Sequence, residues 1–264
     1  MGMMKKNKGY ESIQPLIGEA TDYNIYIPKL SEKIVWFFLG MLVSGVVLYI
    51  FYERIWISCI AGIVCGFAFI PIRTNQVIRN RRKKLTAQFR GLLDALSSSI
   101  GAGKNMYDSF AGATDDLAVQ FSESADIVRE VKLIRIGLDN NIQIEKLLMN
   151  FAERSGVEDI RNFANVFSTC YQKGGNIKEV IKNTTAILGD KIEIQMELET
   201  MVAGQKNEQN IMLVMPVVFI VVLKSMGGDL VDLESPIGLL SVTAALVIFV
   251  IAYFVSKKIL DIKL

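Results

Sequence analysis

The sequence predicts an all-α integral membrane protein, with four transmembrane helices and one cytoplasmic helical bundle of about six helices. Three observations predict it. Long uncharged apolar runs lie toward both ends of the chain. Apolar residues recur at helical spacing through the middle. Short glycine–asparagine junctions divide that middle into segments. Hydrophobic residues make up 51% of the 264, and most of the excess sits in the apolar runs.

Ile34–Phe51, Ile55–Ile72 and Ile237–Val255 contain no charged side chain. Each is close to the roughly 20 residues that cross about 30 Å of hydrocarbon as a helix. Ile211–Leu223 is a shorter run. It spans if Asn210 and Lys224 sit at the interfaces, with Lys224 snorkelling outward. None of the longer runs shows the polar stripe of a soluble core helix. A polar stretch precedes the first run and no small-residue cleavage site closes it, so it reads as an anchor rather than a signal peptide.

The net charge of +2 is small, but its placement is informative. Arg79, Arg81, Arg82, Lys83 and Lys84 lie between Arg73 and Arg90 with no acid among them. Such a cluster is one signature of nucleic-acid binding. Directly after an apolar run it reads instead as a positive-inside anchor able to touch anionic headgroups, and no nucleic-acid partner is expected. Lys5, Lys6 and Lys8 precede the first run, and Lys257, Lys258 and Lys263 follow the last. Tyr52, Glu53 and Arg54 form the first outer turn; the second carries Asp229, Asp232 and Glu234 against Lys224. This pattern places both termini and the middle domain in the cytoplasm. The expected divisions are a cytoplasmic segment 1–33, a transmembrane hairpin 34–72, a cytoplasmic domain 73–210, a second hairpin 211–256 and a cytoplasmic tail 257–264.

Proline is absent between Ile72 and Met215, which favours uninterrupted helices. Leu92, Leu93, Leu96 and Ile100 form one apolar stripe; Ile127, Val131, Ile134 and Leu138 form a second. Ile144, Leu147, Leu148 and Phe151 form a third; Phe163, Val166, Phe167 and Cys170 form a fourth. Such stripes pack a bundle. Gly103-Lys104-Asn105 and Gly174-Gly175-Asn176 each combine a glycine stop with an asparagine N-cap, and Asp108 and Glu179 follow at N3. Asp139-Asn140-Asn141 and Ser155-Gly156 make further breaks. The predicted helices cover about 78–101, 105–113, 121–138, 142–154, 157–173 and 176–206, the last running on into the third span. Gly103, Asn105, Gly156, Gly174, Gly175 and Asn176 are expected to be structural, with positive φ tested at Gly175.

The chain has no histidine, which removes His-based acid–base catalysis, Ser-His-Asp triads and His metal sites. Cys59, Cys65 and Cys170 have no metal-ligand spacing. Gly101-Ala102-Gly103-Lys104 fails as a phosphate loop, because Ser98 and Asn105 stand where glycine and Ser/Thr are required. The pairs Asp115-Asp116 and Glu158-Asp159 are read as helix starts favoured by the macrodipole. No catalytic site, cofactor or metal is expected, and the protein is read as a non-enzyme.

Three segments carry a family resemblance. The first is Leu92-Leu93-Asp94-Ala95-Leu96 through Ser99-Ile100-Gly101-Ala102-Gly103. The second is Phe151-Ala152-Glu153-Arg154-Ser155-Gly156 with Asp159-Ile160-Arg161. The third is Gly174-Gly175-Asn176-Ile177-Lys178-Glu179-Val180-Ile181. In order, and with the flanking apolar runs, they resemble the type II secretion system F family, in particular its TadB/TadC-like branch serving Tad (Flp-type) pili. The similarity runs from about Phe89 to the C-terminus. Asn141 departs from a usual glycine, and asparagine best tolerates the left-handed conformation. The family's basic run before the third span is diluted to Lys191 and Lys206 among Glu193, Glu197 and Glu199.

The resemblance implies an inner-membrane platform protein of a pilus or secretion machine. Its implied partners are a cytoplasmic secretion or pilus ATPase, a second F-family platform protein, pilin subunits and the lipid bilayer, in a homo- or hetero-oligomer. Asp94, Lys104, Asp108, Lys173 and Lys178, exposed charges near helix joins, are the candidate ATPase-facing residues. The alternative is a membrane transporter or channel; against it, the apolar runs offer only Ser44, Ser58, Ser241 and Thr243 to line a path.

Overall fold

A computed structural model describes residues 13–18, 20–52, 54–225 and 236–260. The terminal lysines Lys5, Lys6, Lys8 and Lys263 and the turn acids Glu53, Asp229, Asp232 and Glu234 lie outside the described residues, as do the side chains of Lys224, Lys257 and Lys258. The described elements are all helical: α1 Leu30–Tyr52, α2 Ile55–Gly101, α3 Met106–Phe121, α4 Asp126–Asp139, α5 Ile144–Ser155, α6 Glu158–Gln172, α7 Ile177–Ser225 and α8 Pro236–Leu260. They fall into two compact units. One comprises residues 1–27 and 75–193, the other 28–74 and 194–264.

In the first unit the stripes meet in one core. Leu85, Phe89, Leu92, Leu93 and Leu96 of α2 are buried with Phe151 of α5 and Phe163 and Phe167 of α6. The Phe89 and Phe163 rings meet edge-on at 5.4 Å between centroids, a favoured aromatic geometry. Of the fourth stripe, Val166 is exposed instead. Successive helices α3 to α6 pack against one another in chain order, as short joins favour.

Three boundaries differ from the sequence reading. The helix expected over 105–113 continues to Phe121, so Asp115 and Asp116 lie mid-helix on an exposed face rather than at a helix start. Phe110, Ala113, Thr114 and Leu117 are buried on the opposite face. This continuous core stripe outweighs the weak helix propensity of Gly112. α4 begins at Asp126 rather than near 121, and the helix expected to begin near 78 is continuous from Ile55; α7 continues to Ser225, as expected.

The second unit contains α1, the first part of α2 and α8. Two helices are long and apolar enough to cross a membrane: Leu30–Tyr52, and the α2 segment beginning at Ser58. Leu240–Tyr253 of α8 is a shorter apolar run. A soluble core helix would be covered, yet only 6% of the apolar window of α1 is buried, and 17% of that of α2. Phe38, Leu42, Trp56, Ile60, Val64 and Phe67 present an apolar surface to the surroundings, of the kind that marks a membrane or protein contact. α1 and α2 approach through glycines. A Cβ on Gly66 would lie 3.0 Å from the Phe37 ring and carbonyl, and one on Gly40 would lie 2.9 Å from Phe69 Cβ. Gly62 and Gly66 form a small-xxx-small pair, the sequence device that lets membrane helices pack closely.

Candidate functional site

The helix joins of the first unit are built by repeated local chemistry. After α2, Gly103 takes φ 83; its N–H donates to Ile100 O at 3.0 Å, and Lys104 N–H donates to Ser99 O at 3.2 Å. After α4, Asn141 takes φ 59, with Asn141 N–H to Leu138 O at 3.0 Å and Ile142 N–H to Gly137 O at 2.9 Å. After α6, Gly174 takes φ 67, with Gly174 N–H to Tyr171 O at 3.3 Å and Gly175 N–H to Cys170 O at 2.8 Å. All three are Schellman closures, which satisfy the last free helix carbonyls. The left-handed residue is therefore Gly174, not Gly175. Gly175 is required for a different reason: a Cβ there would lie 2.5 Å from Cys170 Sγ.

The next helices start as their asparagines predict. Asn105 Oδ1 accepts from Asp108 N–H at 2.8 Å, and Asn176 Oδ1 accepts from Glu179 N–H at 3.2 Å. The acids do not complete a reciprocal capping box. Their carboxylates accept from the asparagine amides instead, at 2.8 and 3.3 Å.

These joins lie at one end of the bundle. Tyr107 O–H donates to Asp139 Oδ1 at 2.6 Å, bringing the start of α3 to the end of α4. Lys178 Cε lies 3.9 Å from the Cβ position of Gly101, bringing the start of α7 to the end of α2. Lys104, Asp108, Lys173 and Lys178 are exposed on this end. Asp94 is also exposed but sits about 10 Å back along α2. It lines a groove of about 360 Å³ with Arg90, Ser97, Lys182, Asp190 and Glu193. The Asp139 carboxylate that accepts its proton holds the Tyr107 hydroxyl above the ordinary phenol range.

The opposite end holds a site the sequence reading did not anticipate. Residues 13–27 belong to the same compact unit as the bundle. Arg154 of α5 and Glu130 of α4 form a two-pronged ion pair: Nη2 to Oε2 at 2.6 Å and Nη1 to Oε1 at 2.9 Å. Their side chains are only 4% and 2% exposed, so the pair is desolvated and depends on its hydrogen bonds. Several are supplied by neighbouring groups. Tyr23 O–H donates to Glu130 Oε1 at 3.1 Å. Arg154 also donates to Thr21 O at 3.1 Å and to Asn150 Oδ1 at 2.9 Å. Burial, reinforced by the Glu130 carboxylate, pushes the Tyr23 hydroxyl well above the ordinary phenol range. It therefore stays a donor at every physiological pH.

The same strap caps α5. Tyr23 N–H donates to Arg154 O at 2.9 Å, and the Asn24 amide donates to Glu153 O at 3.0 Å and Arg154 O at 3.2 Å. Arg82 of α2 donates to the Asn24 carbonyl oxygen. Gly156 takes φ 60 beneath this junction, where a Cβ would collide with Asn24 Oδ1 and the Arg82 guanidinium. A sequence signal did exist. Glu130 lies inside the stripe Ile127–Val131–Ile134, and Arg154 continues Leu147–Phe151 at the next helical step. Opposite charges on two adjoining apolar faces point to a buried pair.

The class these features define is an α-helical bundle bearing exposed apolar helices. No group of His, Cys, Asp and Glu that could hold a metal occurs among the described residues. Cys59 and Cys65 are exposed on the apolar part of α2, and Cys170 is half-buried. No family model, curated protein or solved structure matches the chain.

Proposed function

We propose that this protein is an inner-membrane platform of a Tad-type or type IV-like pilus, or of a type II secretion machine. In this reading it couples a cytoplasmic ATPase to pilin assembly or protein export. Four helices cross the cell membrane: α1, the first part of α2, the last part of α7 and α8. The bundle and both termini face the cytoplasm. The observation that carries the reading is the pairing of an uncovered apolar hairpin with a tightly packed bundle on the same continuous helix, α2. The ordered segments that resemble the type II secretion F family add the machine.

A helix resists bending and compression because each turn is hydrogen-bonded to the next. α2 and α7 each join the bundle to an apolar segment without a loop between them, although Pro71 and Pro216 each remove one turn-to-turn bond near that segment. Lys104, Asp108, Lys173 and Lys178, with Asp94 further along α2, are the proposed ATPase-facing charges. The bundle's tolerance of load depends on its joins, and those after α2, α4 and α6 are closed by backbone hydrogen bonds.

The test is capture and phenotype. Full-length protein purified in mild detergent should retain the secretion ATPase encoded with it, and a Lys104→Glu/Lys178→Glu variant should retain at least tenfold less. Deletion of the gene should abolish pili or export. Normal piliation and export after deletion would end the reading.

A further inference from the structure

We infer that α2 carries an anionic-lipid contact in the turns that follow its apolar segment, made by Arg79 and Lys84; the inference rests on the membrane reading above. The basic run looks uniform in sequence, but the structure divides it. Arg81 stacks over the Tyr26 ring at 5.7 Å, and Arg82 donates to Asn24. These two hold the N-terminal strap. Arg79, Lys83 and Lys84 are exposed. Among the described residues, Arg79 and Lys84 make no ion pair or hydrogen bond.

Three features fit a bilayer surface as the occupant. First, no acid occurs on α2 until Asp94, so these cations have no acidic neighbour on their own helix. Second, at 100° per residue Arg79 and Lys84 lie about 140° apart around the axis. Charges this far apart are met by separate headgroups, which a bilayer surface around an emerging helix supplies. Third, Cα–Cβ bonds tilt toward a helix's N-terminus. On α2 that direction is toward Ile72 and the apolar segment. The cations stand about 10 to 18 Å along the axis past Ile72, and long side chains reaching back bring their charges toward the headgroup layer. α7 provides the contrast. Before its apolar run it carries Glu193, Glu197, Glu199 and Glu208 against Lys206, and its side chains tilt away from Ile211. Of these two helices, the lipid contact is assigned to α2.

The experiment titrates the detergent-solubilised full-length chain with phosphatidylglycerol or phosphatidylcholine in mixed micelles and counts bound lipid by native mass spectrometry. Phosphatidylglycerol should be retained preferentially. Each cation removed should weaken it about fivefold, so Arg79→Gln/Lys84→Gln should weaken it about 25-fold. Arg82→Gln should loosen the strap, measured by proteolysis, yet leave lipid retention unchanged. Equal retention of the two lipids, or an unaffected double variant, would overturn the inference. Displacement by free glycerol phosphate or by polyglutamate as readily as by phosphatidylglycerol would overturn it in favour of a soluble phosphate or an acidic partner. Alkaline carbonate extraction separates the two levels: a chain released from membranes refutes the membrane reading itself, whereas a retained chain without anionic preference refutes only this contact.

Discussion

Breaking the Glu130–Arg154 pair should be the most damaging single perturbation of the bundle. Glu130→Leu leaves a guanidinium, 4% exposed, with only the uncharged acceptors Thr21 O and Asn150 Oδ1. Removing one partner of a buried pair costs about 3–5 kcal/mol. Arg154→Met leaves Glu130 with the Tyr23 hydroxyl alone and should cost a similar amount. The double variant Glu130→Leu/Arg154→Met removes both charges and replaces them with apolar volume. It should cost less than either single variant, although Tyr23 then loses its acceptor, a penalty of about 1–3 kcal/mol. The assay is hydrogen exchange by mass spectrometry on the full-length chain in micelles, over peptides from the strap, α4 and α5. Each single variant should raise local opening on the order of 10² to 10³-fold, because 1.4 kcal/mol is about tenfold. Changes below about fivefold, or a double variant whose cost equals the sum of the singles, would refute the buried pair.

Three further outcomes follow from the geometry. Gly175→Ala should destabilise by about 1–3 kcal/mol through overpacking against Cys170, and adding Cys170→Ala should restore most of it. Gly174→Ala should cost about 1 kcal/mol through backbone strain alone, with no rescue by Cys170→Ala; thermal melts of the four variants check both. Gly66→Leu should part the α1–α2 hairpin, seen as lost crosslinking between cysteines placed at positions 45 and 58, because its Cβ would meet Phe37 at 3.0 Å. The Tyr107 phenol, raised by Asp139, contributes stability below the unfolded phenol pKa that is lost as pH rises through the folded value. An alkaline absorbance titration should show Asp139→Asn moving one tyrosine back down toward the ordinary range.

Much of the bundle was legible because it depends on local rules. The asparagine caps, the glycine stops and the stripes of α2, α4 and α5 follow from backbone sterics and a 3.6-residue period, which neighbouring residues alone decide. Asn141 shows how far this reaches: its left-handed conformation is what its residue type permits. The end of α3 lies beyond the expected 113 because burial of Leu117 carries the helix onward past Asp115-Asp116, a pair that reads locally as a helix start. The choice between Gly174 and Gly175 also escaped, since either glycine can adopt positive φ and only the Schellman register selects one. Gly62 and Gly66 stood in the sequence as a packing pair, yet their partner Phe37 is defined only once two helices meet.

The sequence by itself determined the helical class, the apolar runs and the chemistry of the joins, because each depends on residues within a few turns of one another. Tertiary structure alone decided the fate of the charges. Glu130 is buried because Arg154 and Tyr23 arrive from distant parts of the chain to neutralise and hydrogen-bond it. Arg82 is drawn inward because Asn24 lies over Gly156. Arg79 and Lys84 stay outward because nothing comparable reaches them. Whether a charge serves the core or the surface depends on which opposite group comes within hydrogen-bond range, and the fold sets that distance.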